Sequence, residues 1–229
     1  MARGQARKQL LVQRETRPQA HRAHADRALA ARLDAAIAAL LDPTLDPALG
    51  LTPSLAPSLA LAPRLDPTLE PEFERAQATR APVIGVYWPI RGEPDLRPWY
   101  ESRWQRGWRL ALPRTRPASA LEFGLWDSPT TLQPGPWGAA LPEPFEPVVP
   151  DLLVIPCLGF DAHRRRLGYG GGYYDRTLAQ WPRPSVGVAH EIGRLGELVA
   201  QPHDIALDCI VTEASTLGPE PSYRPRPLT

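Results

Sequence analysis

Residues 150–180 read PDLLVIPCLGFDAHRRRLGYGGGYYDRTLAQ. The apolar run LLVI at 152–155 has the length and branched side chains of a buried strand. A loop holding Gly168, Gly170, Gly171 and Gly172 follows, and then a helix over 174–180. A buried strand leading through a loop into a helix belongs to a mostly parallel sheet with helices on both faces. Glycines without Cβ atoms let backbone N–H groups approach an anion, and a helix starting just beyond aims its positive end at the same place. Arg164, Arg165 and Arg166 add charge upstream. This is a phosphate cradle in outline, although both G-x-x-x-x-G-K-[ST] and G-x-G-x-x-G are absent. The same residues also allow a plain glycine turn, with Asp175 as an acid favoured at a helix start.

Further strands are expected at Val83–Tyr87 (VIGVY), Val186–Val188 and Ile210–Val211, and a second helix near 192–200. The stretch 89–150 is rich in Pro and Trp and reads as loops with short strands such as Arg109–Leu112. Residues 3–41 read as helix. Leu29, Leu33, Ile37 and Leu40/Leu41 recur at helical spacing, and Pro18 suits a helix first turn. Arg3, Arg7 and Arg14 share one face of the first helix, which composition alone reads as a solvated basic face. The fold class is therefore α/β, a single domain with a mostly parallel sheet flanked by helices on both faces, preceded by N-terminal helices.

Residues 42–73 carry seven tetrads of the form x-Pro-x-Leu or its close variant: DPTL, DPAL, TPSL, APSL, APRL, DPTL and EPEF. Proline at that density prevents helix and central strand. The expected organisation is N-terminal helices over 1–41, a Pro/Leu-rich low-complexity insertion over 42–73, a catalytic domain over 74–217 and a flexible tail over 218–229. An interaction protein working through the tetrads is a separate reading, tested by deleting 42–73.

The chain has 229 residues, 43% hydrophobic and 22% charged, enough for a packed core. Its net charge of +1 argues against a nucleic-acid partner. Residues 1–32 nevertheless carry eight basic groups against Glu15 and Asp26. Cys157 and Cys209 give neither a disulfide framework nor metal-ligand spacing, and Cys157 reads as a buried structural thiol. His163, His190 and His203 also lack ligand spacing, His203 being notable only for adjoining Asp204. No apolar stretch is long enough for a membrane span and no secretory signal is visible, so a cytoplasmic location is expected; a monomer is expected as well, although no feature of the sequence fixes the oligomeric state. Most of the seven tryptophans should be packing anchors.

The stretch LGFDAHRRRLGYGGGYYDR resembles the signature of the 5-formyltetrahydrofolate cyclo-ligase (5,10-methenyltetrahydrofolate synthetase) family. VIGVYWPIRGEPDLRP at 83–98 is similar to that family's folate-side strand and loop, HDIALDCIVTE at 203–213 to its C-terminal block, and RGQAR at 3–7 to its N-terminal [KR]-x-x-[LV]-R motif, with Arg14 at a further basic position. The resemblance implies an enzyme that uses ATP and a divalent metal, normally Mg2+, to turn 5-formyltetrahydrofolate into 5,10-methenyltetrahydrofolate. The implied ATP-binding residues are Arg3, Arg7, Arg166, Leu167, Gly168, Tyr169, Gly170, Gly171, Gly172, Tyr173 and Tyr174. Trp88 and Glu93 would face the folate, Tyr169 would touch both substrates, and Asp175 and Asp204 would hold the metal. Arg3 stands where the family often has lysine. Arginine keeps the charge and can fork onto phosphate oxygens, so Arg3 takes the phosphate role and Lys8, the single lysine, is incidental; a shifted helix start would put Lys8 there instead. The cradle alone also suits a nucleotide-binding relative with another substrate or a regulatory role. Trp88 and Glu93 are what separate the two readings.

Overall fold

The chain opens with two helices that a proline separates. The computed structural model describes residues 2–41, 81–127 and 130–218, so the Pro-Leu tetrads and all but the first residue of the tail lie outside the described residues. Helix α1 is Arg3–Thr16 and α2 is Gln19–Leu41. They part at Arg17, which is extended (ψ 131°), because the ring of a following proline disfavours the helical region.

Strand β1 (Val83–Gly85) leads through α3 (Arg97–Trp104) to β2 (Arg109–Arg114) and β3 (Glu122–Trp126). A hairpin of β4 (Thr131–Pro134) and β5 (Ala140–Glu143) follows, then β6 (Pro147–Val148). Strand β7 (Leu152–Pro156) enters a second hairpin, β8 (Gly159–Phe160) and β9 (Arg166–Leu167), before α4 (Tyr173–Gln180). Strands β10 (Ser185–Val188), β11 (Cys209–Val211) and β12 (Thr216–Leu217) complete the fold. The main sheet has eight strands in the order β12-β11-β10-β7-β1-β2-β3-β6. Pairing is parallel from β11 across to β2 and antiparallel at both edges.

Alternation along these strands sorts the core into two layers. Ile84, Leu152, Val154, Val186 and Val211 pack with Leu29, Leu33 and Ile37 of α2 and with Trp99 and Tyr100 of α3. Val83, Leu153, Ile155 and Ile210 pack on the opposite face with Leu178 of α4. The β1-to-β2 crossover thus runs over one face and the β7-to-β10 crossover over the other, and the two lead away from the β1–β7 seam in opposite directions. Such a seam is a topological switch point, where a crevice opens beyond the carboxyl ends of the strands. The α/β class and its mostly parallel sheet with helices on both faces are as the sequence implies.

Two stretches differ from the expectation. Residues 192–200 are not a helix: Glu191–Gly193 forms one 3-10 turn. The backbone beyond is committed elsewhere, with Leu195 N donating to Phe160 O (2.8 Å) and Leu198 N to Asp161 Oδ2 (3.0 Å). Within 89–150 the chain builds a helix and an antiparallel extension of the sheet. Pro98 sits in the first turn of α3, where a missing N–H costs nothing. Trp126 is buried at the centre of this region, with Tyr100, Trp104 and Trp88 edge-on to it at centroid distances of 5.6, 4.2 and 5.9 Å. No helix among the described residues is long and apolar enough to cross a membrane.

Asp161 holds the β8–β9 hairpin in shape. It is fully buried, and its carboxylate accepts the backbone N–H groups of His163, Arg165 and Leu198, each at 3.0 Å. Asp161→Ala would leave those donors without their acceptor, so unfolding experiments should show a loss of about 2–3 kcal/mol. A loss under about 0.5 kcal/mol would mean that the hairpin is fixed by other contacts.

Candidate functional site

The carboxyl ends of β1, β2 and β7 open into a cleft of about 390 Å³. Tyr87 and Trp88 line it beyond β1, Pro113 and Thr115 at the end of β2, and Pro156 at the end of β7. Residues of the glycine loop and the start of α4 (Tyr169, Gly171, Tyr173, Tyr174) form another wall, and the β4–β5 hairpin contributes Trp137 and Leu141. A concave site with aromatic walls and few polar groups suits a flat, partly polar ligand.

Glu93 is the acid of this cleft. Arg91 and Gly92 both have positive φ (49° and 71°), the signature of a type I′ reversal, and Glu93 N donates back to Ile90 O at 2.9 Å. Glu93 is only 6% exposed, and its carboxylate accepts Ile90 N–H at 3.0 Å. Burial pushes its pKa up to about 7, against the opposing pull of the Ile90 N–H, the charge of Arg14 and a hydrogen bond with Tyr169. Glu93 therefore changes charge near neutrality, a property common among functional acids. Trp88 also lines the cleft, but the Arg97 guanidinium stands over its ring (5.5 Å to the centroid) and Trp126 meets it edge-on.

The glycine loop meets the basic face of α1. Arg7 Nε donates to Gly168 O (2.9 Å), and its guanidinium carbon lies 3.5 Å from where a Cβ on Gly170 would stand. Gly170 (φ 99°) and Gly172 (φ 65°, capping α4) adopt left-handed backbone that side-chain-bearing residues rarely take. Leu167 is buried at the end of β9, while Tyr169 is 42% exposed at the cleft mouth.

A second cluster joins the remaining site candidates. Arg166 is buried, donates to Ile205 O (2.8 Å) and pairs with Asp175 at 2.7 Å. Asp175 Oδ1 accepts Ile205 N–H (3.3 Å). Asp204, next in chain, pairs with Arg3, accepts Gln201 N–H (2.8 Å) and has its pKa held low chiefly by Arg3 and Gln201 against the effect of burial. Both acids with an implied metal role are thus bound to arginines with an implied phosphate role. Among the described residues no group of three or more His, Cys, Asp or Glu side chains could hold a metal ion.

Sequence reasoning gives two of the residues at the site no role. Trp137 is 66% exposed on the tip of the β4–β5 hairpin and tilts towards Tyr173 (centroids 6.5 Å apart). QPGPWG at 133–138 signals a turn, but nothing in it says which way the turn folds. Arg14, placed by spacing on the basic face of α1 and by the resemblance at a further basic position but given no role, is 3% exposed and touches both walls of the site. Lys8 is exposed. Cys157 and Cys209 are buried free thiols, each pushed up to about 12 by burial, so neither is a ready nucleophile.

The 5-formyltetrahydrofolate cyclo-ligase family model matches residues 71–213. The chain is 34% identical over 142 residues to the 5-formyltetrahydrofolate cyclo-ligase of Escherichia coli strain K12, covering 58% of this chain and 78% of that protein. It is 32% identical over 144 residues to the enzyme of the same name from Mycolicibacterium smegmatis, covering 57% and 73%. The NMR structure of Aquifex aeolicus 5,10-methenyltetrahydrofolate synthetase superposes with a TM-score of 0.68 at 25% identity, covering 100% of this chain and 97% of that one.

Proposed function

Because the chain belongs to the 5-formyltetrahydrofolate cyclo-ligase family, ligases that form a carbon–nitrogen bond, we propose that it converts 5-formyltetrahydrofolate to 5,10-methenyltetrahydrofolate at the expense of ATP, releasing ADP and phosphate. The observation that carries this reading is that the glycine loop and the Trp88–Glu93 segment line one cleft. A phosphoryl donor held by the loop and a pterin held against Glu93 would meet there.

The chemistry asks for what these residues offer. A formamide carbon is a weak electrophile. Attack of the formyl oxygen on the γ-phosphorus breaks the bond to the bridging oxygen, releases ADP and leaves an iminium phosphate. N10 then attacks the activated carbon and loses its proton, and departure of phosphate leaves the methenyl bridge. The first step needs positioning and charge neutralisation rather than a protein nucleophile. Arg3, Arg7 and Arg166 supply charge, and the loop from Leu167 through Gly168, Tyr169, Gly170, Gly171 and Gly172 to Tyr173 and Tyr174 supplies backbone N–H groups and a wall. Glu93 as a carboxylate accepts hydrogen bonds from the pterin's N–H donors, Trp88 flanks the ring, and Tyr169 stands between the two substrates. A cleft with such an acid favours this reading over a nucleotide-binding relative without folate.

The donor set also fits Mg2+, in one particular way. Two carboxylates, each already engaged by an arginine, make no all-protein cage, but Mg2+ usually takes one or two carboxylates and fills its shell with phosphate oxygens and water. Asp175 and Asp204 would hold it, and it would offset charge on the triphosphate. The protein acts as a monomer in this reading, and buried free thiols suit a reducing cytoplasm.

The test mixes protein, 5-formyltetrahydrofolate, ATP and magnesium and follows the methenyl product by its absorbance. Product should form only when ATP is present. Its absence, or its formation at the same rate without ATP, would refute the proposal.

A further inference from the structure

We propose that Arg14 is a positioning residue that clasps the two walls of the site together, tying Tyr169 of the glycine loop to the turn that carries Glu93. Three contacts support this. Arg14 Nε donates to Arg91 O (3.0 Å), inside that turn. Arg14 Nη2 donates to the Tyr169 hydroxyl, and the guanidinium also lies over the Tyr169 ring at 5.6 Å. The turn itself rests on Arg14: a Cβ on Gly92 would stand 3.4 Å from Arg14 O and 3.5 Å from its Cγ. A planar fork can hold a carbonyl and a hydroxyl at once, which an ammonium on a flexible stem does less well. Its remaining nitrogen, Nη1, is buried with no hydrogen-bond partner among the described residues. A buried spare donor is costly unless something uses it.

The clasp has an electrostatic consequence for Glu93. The other titratable groups that act with it are Tyr169, Tyr87 beyond β1, Tyr100 on α3, Tyr174 on α4 and Cys157 beyond β7. All five have pKa values raised by burial and are neutral near pH 7. His190, which feels the charge of Arg14, is pushed down to about 4 by burial and is neutral there too. Arg14 is the cation that favours the carboxylate. Asp26, raised to about 6 by burial, acts on Tyr87 and titrates nearby, so a titration of the whole protein would mix the two. The Glu93 carboxyl must be followed by itself.

The experiment uses the full chain without substrates, so it does not depend on the folate reading. Glutamate carboxyl carbons are labelled with 13C, and the Glu93 signal is assigned by its loss in Glu93→Gln. Arg14→Gln should raise the Glu93 midpoint by about one pH unit, because an opposite charge is removed. Amide hydrogen exchange should quicken in 90–93 and 168–172 together. Arg14→Lys should leave the midpoint near that of the parent while exchange still quickens in both loops, since charge returns without the fork. An unchanged midpoint, or exchange that quickens in one loop alone, overturns the proposal. If Arg14→Gln fails to fold, Tyr169→Phe replaces it. That variant removes a hydrogen bond to Glu93 and one end of the clasp, so the midpoint should rise and exchange at 90–93 should quicken; parent-like values for both overturn the proposal. An activity arm rests on the proposed function: the acid limb of kcat/KM for 5-formyltetrahydrofolate should move upward with the Glu93 midpoint.

Discussion

Arg7→Ala should lower kcat/KM for ATP by roughly 100–1,000-fold, the range seen when a donor aimed at developing charge is removed. Arg7 sits over the glycine loop with its Nε on Gly168 O and its guanidinium carbon close to Gly170. Its loss removes a full charge from beside the proposed phosphate path. Among the described residues its side chain makes one hydrogen bond to the protein, of the kind worth about 1 kcal/mol, so the fold should survive. That separates Arg7 from Arg166, which is buried between Ile205 O and Asp175. Removing Arg166 would leave Asp175 without its partner and would mix a folding defect with a catalytic one. Steady-state kinetics with ATP varied, beside thermal melts, checks the expectation. A melt like that of the parent with unchanged ATP kinetics would remove Arg7 from the phosphate clamp.

Glu93→Gln should move activity and stability in opposite directions. Folate use at pH 8 should fall roughly 10–100-fold, because a hydrogen bond to a charged group becomes a neutral one. ATP binding should persist. The stability effect follows from the raised pKa. Burial lifts Glu93 from an ordinary value of 4.5 to about 7, so the folded state holds its proton more tightly than the unfolded chain. That contribution is fully present below about pH 4.5 and is lost as pH rises through about 7, on the order of 3 kcal/mol in all. Glutamine carries no charge to desolvate, so the variant should melt higher than the parent at pH 8. The gap in folate use should also narrow at pH 6, where the parent's acid is itself largely protonated. Lower stability at pH 8 together with equal loss of ATP and folate binding would point to misfolding instead.

The frame of the fold is legible because buried parallel strands must be apolar on both faces. LLVI, VIGV and the Val-rich run at 186–188 announce themselves in that way, and β7, β1 and β10 fall there. What is not legible depends on partners distant in sequence. Leu195, Leu198 and Val199 look helical in isolation, but their segment spends its backbone groups on Phe160, Asp161 and Arg3. The eight-residue α3 is hidden by its three aromatics and by Pro98, and it exists because Trp99, Tyr100 and Arg103 are buried.

The site divides along the same line. The glycine loop and Glu93 are carried by local motif, and the fold brings Tyr169, Trp88 and Glu93 to one cleft. The ion pair of Arg3 with Asp204 spans 201 residues, a distance that no local pattern encodes, whereas Arg166 and Asp175 pair within the glycine-loop segment itself. Arg14 shows the limit most clearly. Its place on the face with Arg3 and Arg7 is visible in the spacing, yet its two partners lie 77 and 155 residues away.

If the γ-phosphoryl group of ATP is transferred to the formyl oxygen within this cleft, that oxygen must leave in the phosphate. The most direct measurement supplies 5-formyltetrahydrofolate carrying 18O in the formyl group, lets the protein turn it over with ATP and magnesium, and weighs the inorganic phosphate by mass spectrometry. The account predicts one 18O atom in each phosphate released, equal in amount to the methenyl product. Phosphate without label, with the 18O recovered in water, would contradict it.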